Sequence, residues 1–394
     1  MSGEKILEGV FAVHKPQGVT SADVIRTLQH HFNPSKLFRP WLEEERARRD
    51  RENANQRKRR RSKRVEVKIG HGGTLDPLAT GVLIAGVGKG TKSLNGFLGC
   101  TKSYETVVLF GAETDTYDRL GKIVRRGPSE HITREAVEKA LDQFRGKIMQ
   151  RPPIFSALRI DGKRLYEYAR EGKMPPVEIQ SRPVEVLNLD VVEWYEPGSH
   201  DYKWPEEEMA GEEKKVAEKL LDKDAELPIA PSADADADAP SSAKRKSPPP
   251  TEESQKDTTE TAKKQKVSET EAAQPASSEP SAPESASTDA PTTQTEQPHS
   301  QPPAVKIKMT VSSGFYVRSL AHDLGKAVGS CGLMSELVRS RQAEYELGPD
   351  KVLEYKDLEA GEEVWGPKVQ QFLEEWEKRR AVKAEAEAEA EAQQ

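Results

Sequence analysis

The densest concentration of chemistry-bearing residues is Gly70-His71-Gly72-Gly73-Thr74-Leu75-Asp76-Pro77-Leu78-Ala79-Thr80-Gly81. Glycines and a proline around His71 and Asp76 exclude a regular helix or strand, while apolar runs flank the segment on both sides. Such a loop can hold a carboxylate rigidly in a cleft; equally, Asp76 can simply cap the turn that follows it. A second candidate lies in Ser312-Ser313-Gly314-Phe315-Tyr316-Val317-Arg318-Ser319-Leu320, which puts Arg318 at the start of a helix just after a strand. The helix dipole is positive there, so the position is poor for a cation. An arginine so placed calls for an anionic partner, and Asp76 is the natural one. Tyr104 opens a strand in Lys102-Ser103-Tyr104-Glu105, where the ordinary expectation is a core or half-buried residue. The prolines of Arg151-Pro152-Pro153 fix an extended approach to a further strand.

Two other chemistries lack support. Gly86-Val87-Gly88-Lys89-Gly90-Thr91-Lys92-Ser93 has the composition of a phosphate-binding loop but not the glycine-to-lysine spacing. The eight histidines are scattered, and neither a CxxC nor an HxxxH pair occurs, so no metal site is expected. Cys100 and Cys331 cannot form a disulfide framework, and no signal-like apolar stretch opens the chain, which points to a reducing compartment.

The elements that must position these residues follow from periodicity. Gly9 to Phe32 reads as a strand, a turn at Lys15 to Gly18, and a helix capped by Thr20 or Ser21 with Val24, Ile25, Leu28 and Phe32 on one face. Strands are expected at about 65–70, 82–87, 103–111, 121–126, 156–160, 183–194 and 304–311, with Asp161-Gly162 as a hairpin turn. Helices fit 91–98, 133–144, 164–171 and 317–328. Irregular alternation of strands and helices gives an α+β class with a mixed, mostly antiparallel sheet flanked by helices.

Composition sets the boundaries. Residues 201–300 hold 12 of the 27 prolines, 23 acidic against 12 basic residues, and no aromatic residue after Trp204. A segment so poor in apolar residues is expected to be disordered. The reading is one discontinuous domain: 1–36 and 65–197 continue at 304–346, with a basic insert at 37–64 and a low-complexity insert at 198–303. A C-terminal helical extension follows at 347–383 and a disordered Ala-Glu tail at 384–394. Closure entropy grows only logarithmically with loop length, so a long insert is tolerable. Without the insert and the tail the net charge is +9, and all of it sits between Arg46 and Arg64. A basic arm on a neutral body suits an anionic partner such as nucleic acid. No run of 18 apolar residues occurs, which excludes a transmembrane helix.

The motifs, taken in order, resemble the TruB family of pseudouridine synthases, which make the T-loop pseudouridine of transfer RNA. The resemblance rests on VHKPQGVTS at 13–21, GHGGTLDPLATGVL at 70–83, KSYE at 102–105, RPPIFSALRIDGKRLYEYAREG at 151–172 and SSGFYVRSLAHDLG at 312–325. It covers the ordered chain from about residue 9 to 346 and implies the pseudouridine synthase fold. Asp76 would be the catalytic nucleophile. Arg318 would pair with its carboxylate, since an opposite charge favours the ionised form. Tyr104 would lie against the flipped uracil as the candidate for proton transfer. His71 would support the flipped base or fill its place, and Tyr316, with Gly73 and Thr74, would contact substrate. Lys15 and the Pro16 to Gly18 turn would brace the catalytic loop. No cofactor is implied, because the isomerisation has no net redox change. The expected partner is the tRNA T-arm, with mRNA a second candidate substrate; the protein is expected to be a monomer without membrane contact.

Two features separate this chain from the family pattern. The usual Thr after the motif histidine is Gly72, which implies a more pliable loop. The chain after about Glu346 offers only short helices where bacterial members carry an RNA-binding domain. The basic stretch reads equally as an extension of the tRNA contact or as a nuclear localisation signal centred on RKRRRSKR at 57–64. With the clusters at 244–246 and 263–266, it suggests a eukaryotic, fungal member in nucleus and cytoplasm, with the mitochondrion also open. A guide-RNA-dependent relative and a non-catalytic tRNA chaperone are the competing readings. Deleting 205–300 is expected to leave catalysis intact.

Overall fold

Strand β1 (Gly9–Lys15) sends Phe11 and Val13 to one face and Val10 and Ala12 to the other, and all four are buried. A strand covered on both faces reads as a continuous apolar run rather than an alternating one. The computed structural model describes residues 5–59, 64–156, 158–170, 176–223 and 301–392. Helix α1 (Ser21–Phe32) starts at Thr20, whose hydroxyl accepts from the Asp23 amide while the Asp23 carboxylate accepts from the Thr20 amide. This reciprocal cap satisfies two amides that the helix cannot. Helices α2 (Arg39–Asp50) and α3 (Ala54–Arg59) come next.

Strands β2 (Ile69–His71) and β3 (Thr80–Val87) bracket the glycine-rich loop, and α4 (Leu94–Gly99) leads into β4 (Lys102–Phe110). A short hairpin of β5 (Ala112–Thr114) and β6 (Ile123–Arg126) precedes α5 (Arg134–Leu141), capped by Thr133, and β7 (Gly146–Gln150). The pair β8 (Arg159–Ile160) and β9 (Lys163–Arg164) turns through Asp161 and Gly162, both at positive φ as a tight hairpin requires. After α6 (Leu165–Arg170) and β10 (Arg182–Tyr195) the chain forms α7 (Gly211–Lys223). It resumes as β11 (Ala304–Val311), α8 (Val317–Ala327), β12 (Gly332–Gln342), β13 (Tyr345–Glu346), β14 (Leu353–Glu354) and α9 (Glu362–Ala392).

Among the described residues the main sheet runs β14-β1-β3-β12-β4-β11-β10-β7, with β13 on β12 and β2 on β3. Its β14–β1 and β3–β12 pairs are parallel, and the remaining pairs are antiparallel. The class is therefore α+β with a mixed, mostly antiparallel sheet. Helices α1, α5, α8 and α9 pack their apolar faces into one core with Phe11, Leu83, Val108 and Ile307 from the sheet. Strands β10 and β11, on either side of the long insert, pair from Val186–Val311 to Tyr195–Ala304 with two bulges.

Four expectations need correction. Residues 37–64 are not merely a polar insert: Phe38, Trp41 and Leu42 are buried, and Phe38 stacks on Phe32 with ring centroids 4.5 Å apart. Three apolar side chains in the first turn anchor a helix whose remainder is charged. Residues 60–63, inside the basic cluster, lie outside those described. The insert expected at 198–303 begins with ordered chain, since Glu207 and Met209 hydrogen-bond to β6 and α7 buries Ala217 and Leu221. The rest of that insert, 224–300, including both lysine-rich clusters, lies outside the described residues. Helix α9 runs unbroken through the Ala-Glu tail to Ala392, because alanine and glutamate are strong helix formers even without an apolar face. Strands β7 and β12 were not anticipated; the charges at Glu336, Arg339 and Arg341 mask the apolar pattern of β12.

Candidate active site

The glycine-rich loop is fixed from three directions. Arg339, on β12, is fully buried and donates from Nε to the Val82 carbonyl at 2.7 Å and from its terminal nitrogens toward Gly73 and Thr74 oxygens at 3.3 and 3.5 Å. Gln342, three residues on and also fully buried, donates to the Gly72 oxygen at 2.6 Å and to the Phe97 oxygen at 2.9 Å. Lys15 closes the other side, its Nζ donating to Pro16 O at 2.8 Å and Pro77 O at 3.3 Å. The Gly18 amide also donates to Pro77 O at 2.8 Å, so the Pro16 to Gly18 turn lies against the loop. Burial pushes the Lys15 ammonium down to about 8, an effect the nearby Asp76 carboxylate partly offsets.

Glycine is required at Gly81, where φ is +101° and a Cβ would stand 2.3 Å from the Arg339 carbonyl oxygen. Gly72 is pinned rather than pliable. Its amide donates to Ile84 O at 2.9 Å, and a Cβ there would meet Phe97 Cβ at 3.0 Å.

Asp76 stands where this held loop meets α8. Arg318 Nε donates to Asp76 Oδ2 at 2.8 Å and a terminal nitrogen to Oδ1 at 3.2 Å, the bidentate fork that suits a carboxylate. The same guanidinium donates to Thr116 O at 3.0 Å and Phe155 O at 2.9 Å. Its side chain is 7% exposed and that of Asp76 34%, so the arginine is clamped while the carboxylate reaches open space. Asp118, buried 4.0 Å from Arg318 Nε, supplies a second negative charge. Burial raises the Asp118 carboxyl above its usual range, and Arg318 counters that. The sequence offered no cue to Asp118, Arg339 or Gln342 beyond ordinary polar residues in a loop and a strand.

The open space is a cavity of about 320 Å³ lined by Gly73, Thr74, Asp76, Tyr104, Tyr316 and Arg318 among others. Six of the eight residues singled out from the sequence thus meet at one cavity. Tyr104, on β4 beside Arg339 in register, is buried to 8% exposure while lining the cavity. Tyr316 caps α8, and its backbone is clasped by Gln150, which accepts from the Tyr316 amide at 2.8 Å and donates to its carbonyl at 3.0 Å. Lys15 and His71 are not among the lining residues. His71 lies half-buried at the end of β2, where burial lowers the imidazole below its ordinary value and so favours its neutral form. Among the described residues no cluster of three His, Cys, Asp or Glu could hold a metal ion, and no helix is long and apolar enough to cross a membrane.

Residues 58–205 match the family described as TruB family pseudouridylate synthase, N-terminal domain. A fission yeast protein named tRNA pseudouridine synthase 4 (Schizosaccharomyces pombe) is 38% identical over 373 residues, covering 89% of this chain and 83% of its own length. The chain belongs to the TruB family. A protein of the same name from Saccharomyces cerevisiae is 32% identical, over 94% of this chain and 85% of its own. The mouse protein named Pseudouridylate synthase TRUB1 is 40% identical over 48% of this chain and 52% of its own length. The chain is therefore a TruB-type pseudouridine synthase in sequence along most of its length, not in the catalytic motif alone.

Proposed function

We propose that this protein is a stand-alone tRNA pseudouridine synthase that isomerises the T-loop uridine conventionally numbered 55. The observation that carries the reading is the Asp76 carboxylate, forked by Arg318 and facing a cavity of about 320 Å³ with Tyr104 on its wall. A volume of that size accommodates one nucleotide and not a duplex, so the uridine must leave its stack to enter. The two fungal relatives covering most of the chain bear tRNA synthase names, which favours tRNA over a guide-RNA particle.

The chemistry needs few groups. The N1–C1′ bond breaks, the base turns, a C5–C1′ bond forms, and the proton on C5 leaves as one is gained at N1. In this reading Asp76 is the nucleophile that starts glycosidic cleavage and is later released. Arg318 holds its oxygens in one orientation, because a fork fixes both at once. Tyr104 lies against the freed uracil and receives the C5 proton. Tyr316, Gly73 and Thr74 contact the nucleotide from the cavity wall, Lys15 braces the loop from behind, and His71 supports the flipped base or occupies its place. RNA loops are recognised through splayed bases and backbone, so binding rests largely on shape and phosphate contacts.

The test is incubation of the purified protein with an unmodified tRNA transcript tritiated at C5 of uridine. About one equivalent of tritium should be released, and none from a transcript with cytidine at position 55. Release that persists without uridine 55, or that requires an added guide RNA, would overturn the assignment.

A further inference from the structure

Helix α7 and nearly all of the stretch before it lie past residue 205, where the family match ends, yet they pack onto the elements that hold Arg318. The strap begins at Trp204, whose Nε1 donates to Phe110 O at 2.8 Å while Arg126 lies over its ring at 5.2 Å. It then bonds to β6: the Ile123 amide donates to Glu207 O and the Met209 amide to Ile123 O, both at 2.8 Å. Arg126 also donates to the Glu208 carboxylate at 2.8 Å. Finally α7 buries Ala217 and Leu221 in one apolar cluster with Tyr117 and Val124, and Lys326 of α8 donates to Leu221 O at 3.3 Å.

Tyr117 is the link to the arginine. It adopts φ +63°, an uncommon conformation for a bulky residue, and so turns the chain sharply between Thr116 and Asp118. Those two neighbours are the ones that meet Arg318, through the Thr116 carbonyl and the Asp118 carboxylate. The Tyr117 ring stacks on His322 with centroids 4.1 Å apart and planes 11° from parallel. His322 sits one turn after Arg318 on α8 and is buried, its Nδ1 3.4 Å from the Glu113 carboxylate. The tyrosine is thus sandwiched between the strap and the helix that carries the catalytic arginine.

Resting on the pseudouridine synthase reading, we propose that residues 204–223 are a positioning element for catalysis, holding Arg318 in line with Asp76 through Tyr117 and His322. The element belongs to the beginning of the long insert, so the insert divides into a working strap and a remainder, 224–300, that the chemistry does not use. Deleting 205–300, expected from composition to be harmless, would remove the strap as well.

The experiment measures single-turnover tritium release and tRNA affinity for the full-length protein, a variant lacking 225–299, and the substitutions Leu221→Ala, Leu221→Met, Tyr117→Leu and Tyr117→Phe. Wild-type release comes first, because its absence would count against the enzymatic reading rather than the strap. With wild type active, the 225–299 deletion should stay within about twofold. Leu221→Ala and Tyr117→Leu should lose about tenfold or more in rate, since small misplacements of a positioning group are costly, with affinity for tRNA within about twofold. Leu221→Met and Tyr117→Phe, which restore bulk and ring, should recover most of the rate. Unchanged rates in Leu221→Ala and Tyr117→Leu would overturn the proposal. So would a loss that tracks affinity or the fraction folded instead of the rate.

Discussion

Arg318 and Arg339 line the same cavity, and both are almost wholly buried, yet they stand in opposite settings. Arg318 rises from a helix start and forks a carboxylate that remains reachable. Arg339 sits in mid-strand and donates to backbone oxygens of the loop and of β3. In the proposed reading the first directs the reacting carboxylate, whereas the second fixes the main chain on which that carboxylate is carried. A buried guanidinium can serve chemistry or architecture, and its acceptors decide which.

The sharpest way to break this comparison is to exchange each arginine for a side chain that keeps part of its character. Arg318→Lys retains charge but loses the fork, and lysine is no substitute at a bidentate site. Its rate should fall about 10²-fold or more, with the thermal midpoint moving by only a few degrees, as single-turnover kinetics and calorimetry would register. Equal losses of stability and rate would merge the two roles. Arg339→Met keeps bulk and removes the donors, leaving buried carbonyls unmatched, so it should destabilise by about 3 kcal/mol and lower the midpoint by roughly 5–10 °C. A midpoint within a degree of wild type would show that the loop holds itself.

A finer probe is Lys15, whose burial favours the neutral amine. With its folded value near 8 and an unfolded value of 10.5, the unfolded chain binds more protons between those limits. Stability therefore rises with pH across that window relative to Lys15→Met, by about 2 kcal/mol from pH 8 to 10. Urea midpoints at the two pH values would measure it; a difference that stays flat or reverses sign would place the charge outside the core.

The same contrast explains what could be read from sequence. Arg318 was legible because a cation at a helix start breaks a local rule, and Asp76, an ordinary turn residue by itself, was legible as the carboxylate that such a cation calls for. Tyr104 and Tyr316 were legible by family resemblance more than by physics, since a tyrosine in a strand is ordinary. Arg339, Gln342 and Asp118 obey no visible local pattern, and their meaning arises from partners 200 residues or more away in the chain. The strap was hidden for a related reason. Its apolar residues, Trp204, Met209, Ala217 and Leu221 among them, are diluted among acids and lysines, so composition averaged over a hundred residues conceals a helix that buries one edge. Strands β1, β3 and β4 were found near their observed limits because burial on both faces leaves apolar runs, and β11 because its apolar residues alternate with Lys306 and Lys308.

The measurement that tests the account most directly compares wild type with Asp76→Ala, reading tritium release in a single turnover and tRNA binding in the same preparations. The account predicts about one equivalent released by wild type, none by Asp76→Ala, and affinities within a few fold of each other. Continued release by Asp76→Ala, or loss of release together with loss of binding, would contradict the claim that the forked carboxylate is the reacting group.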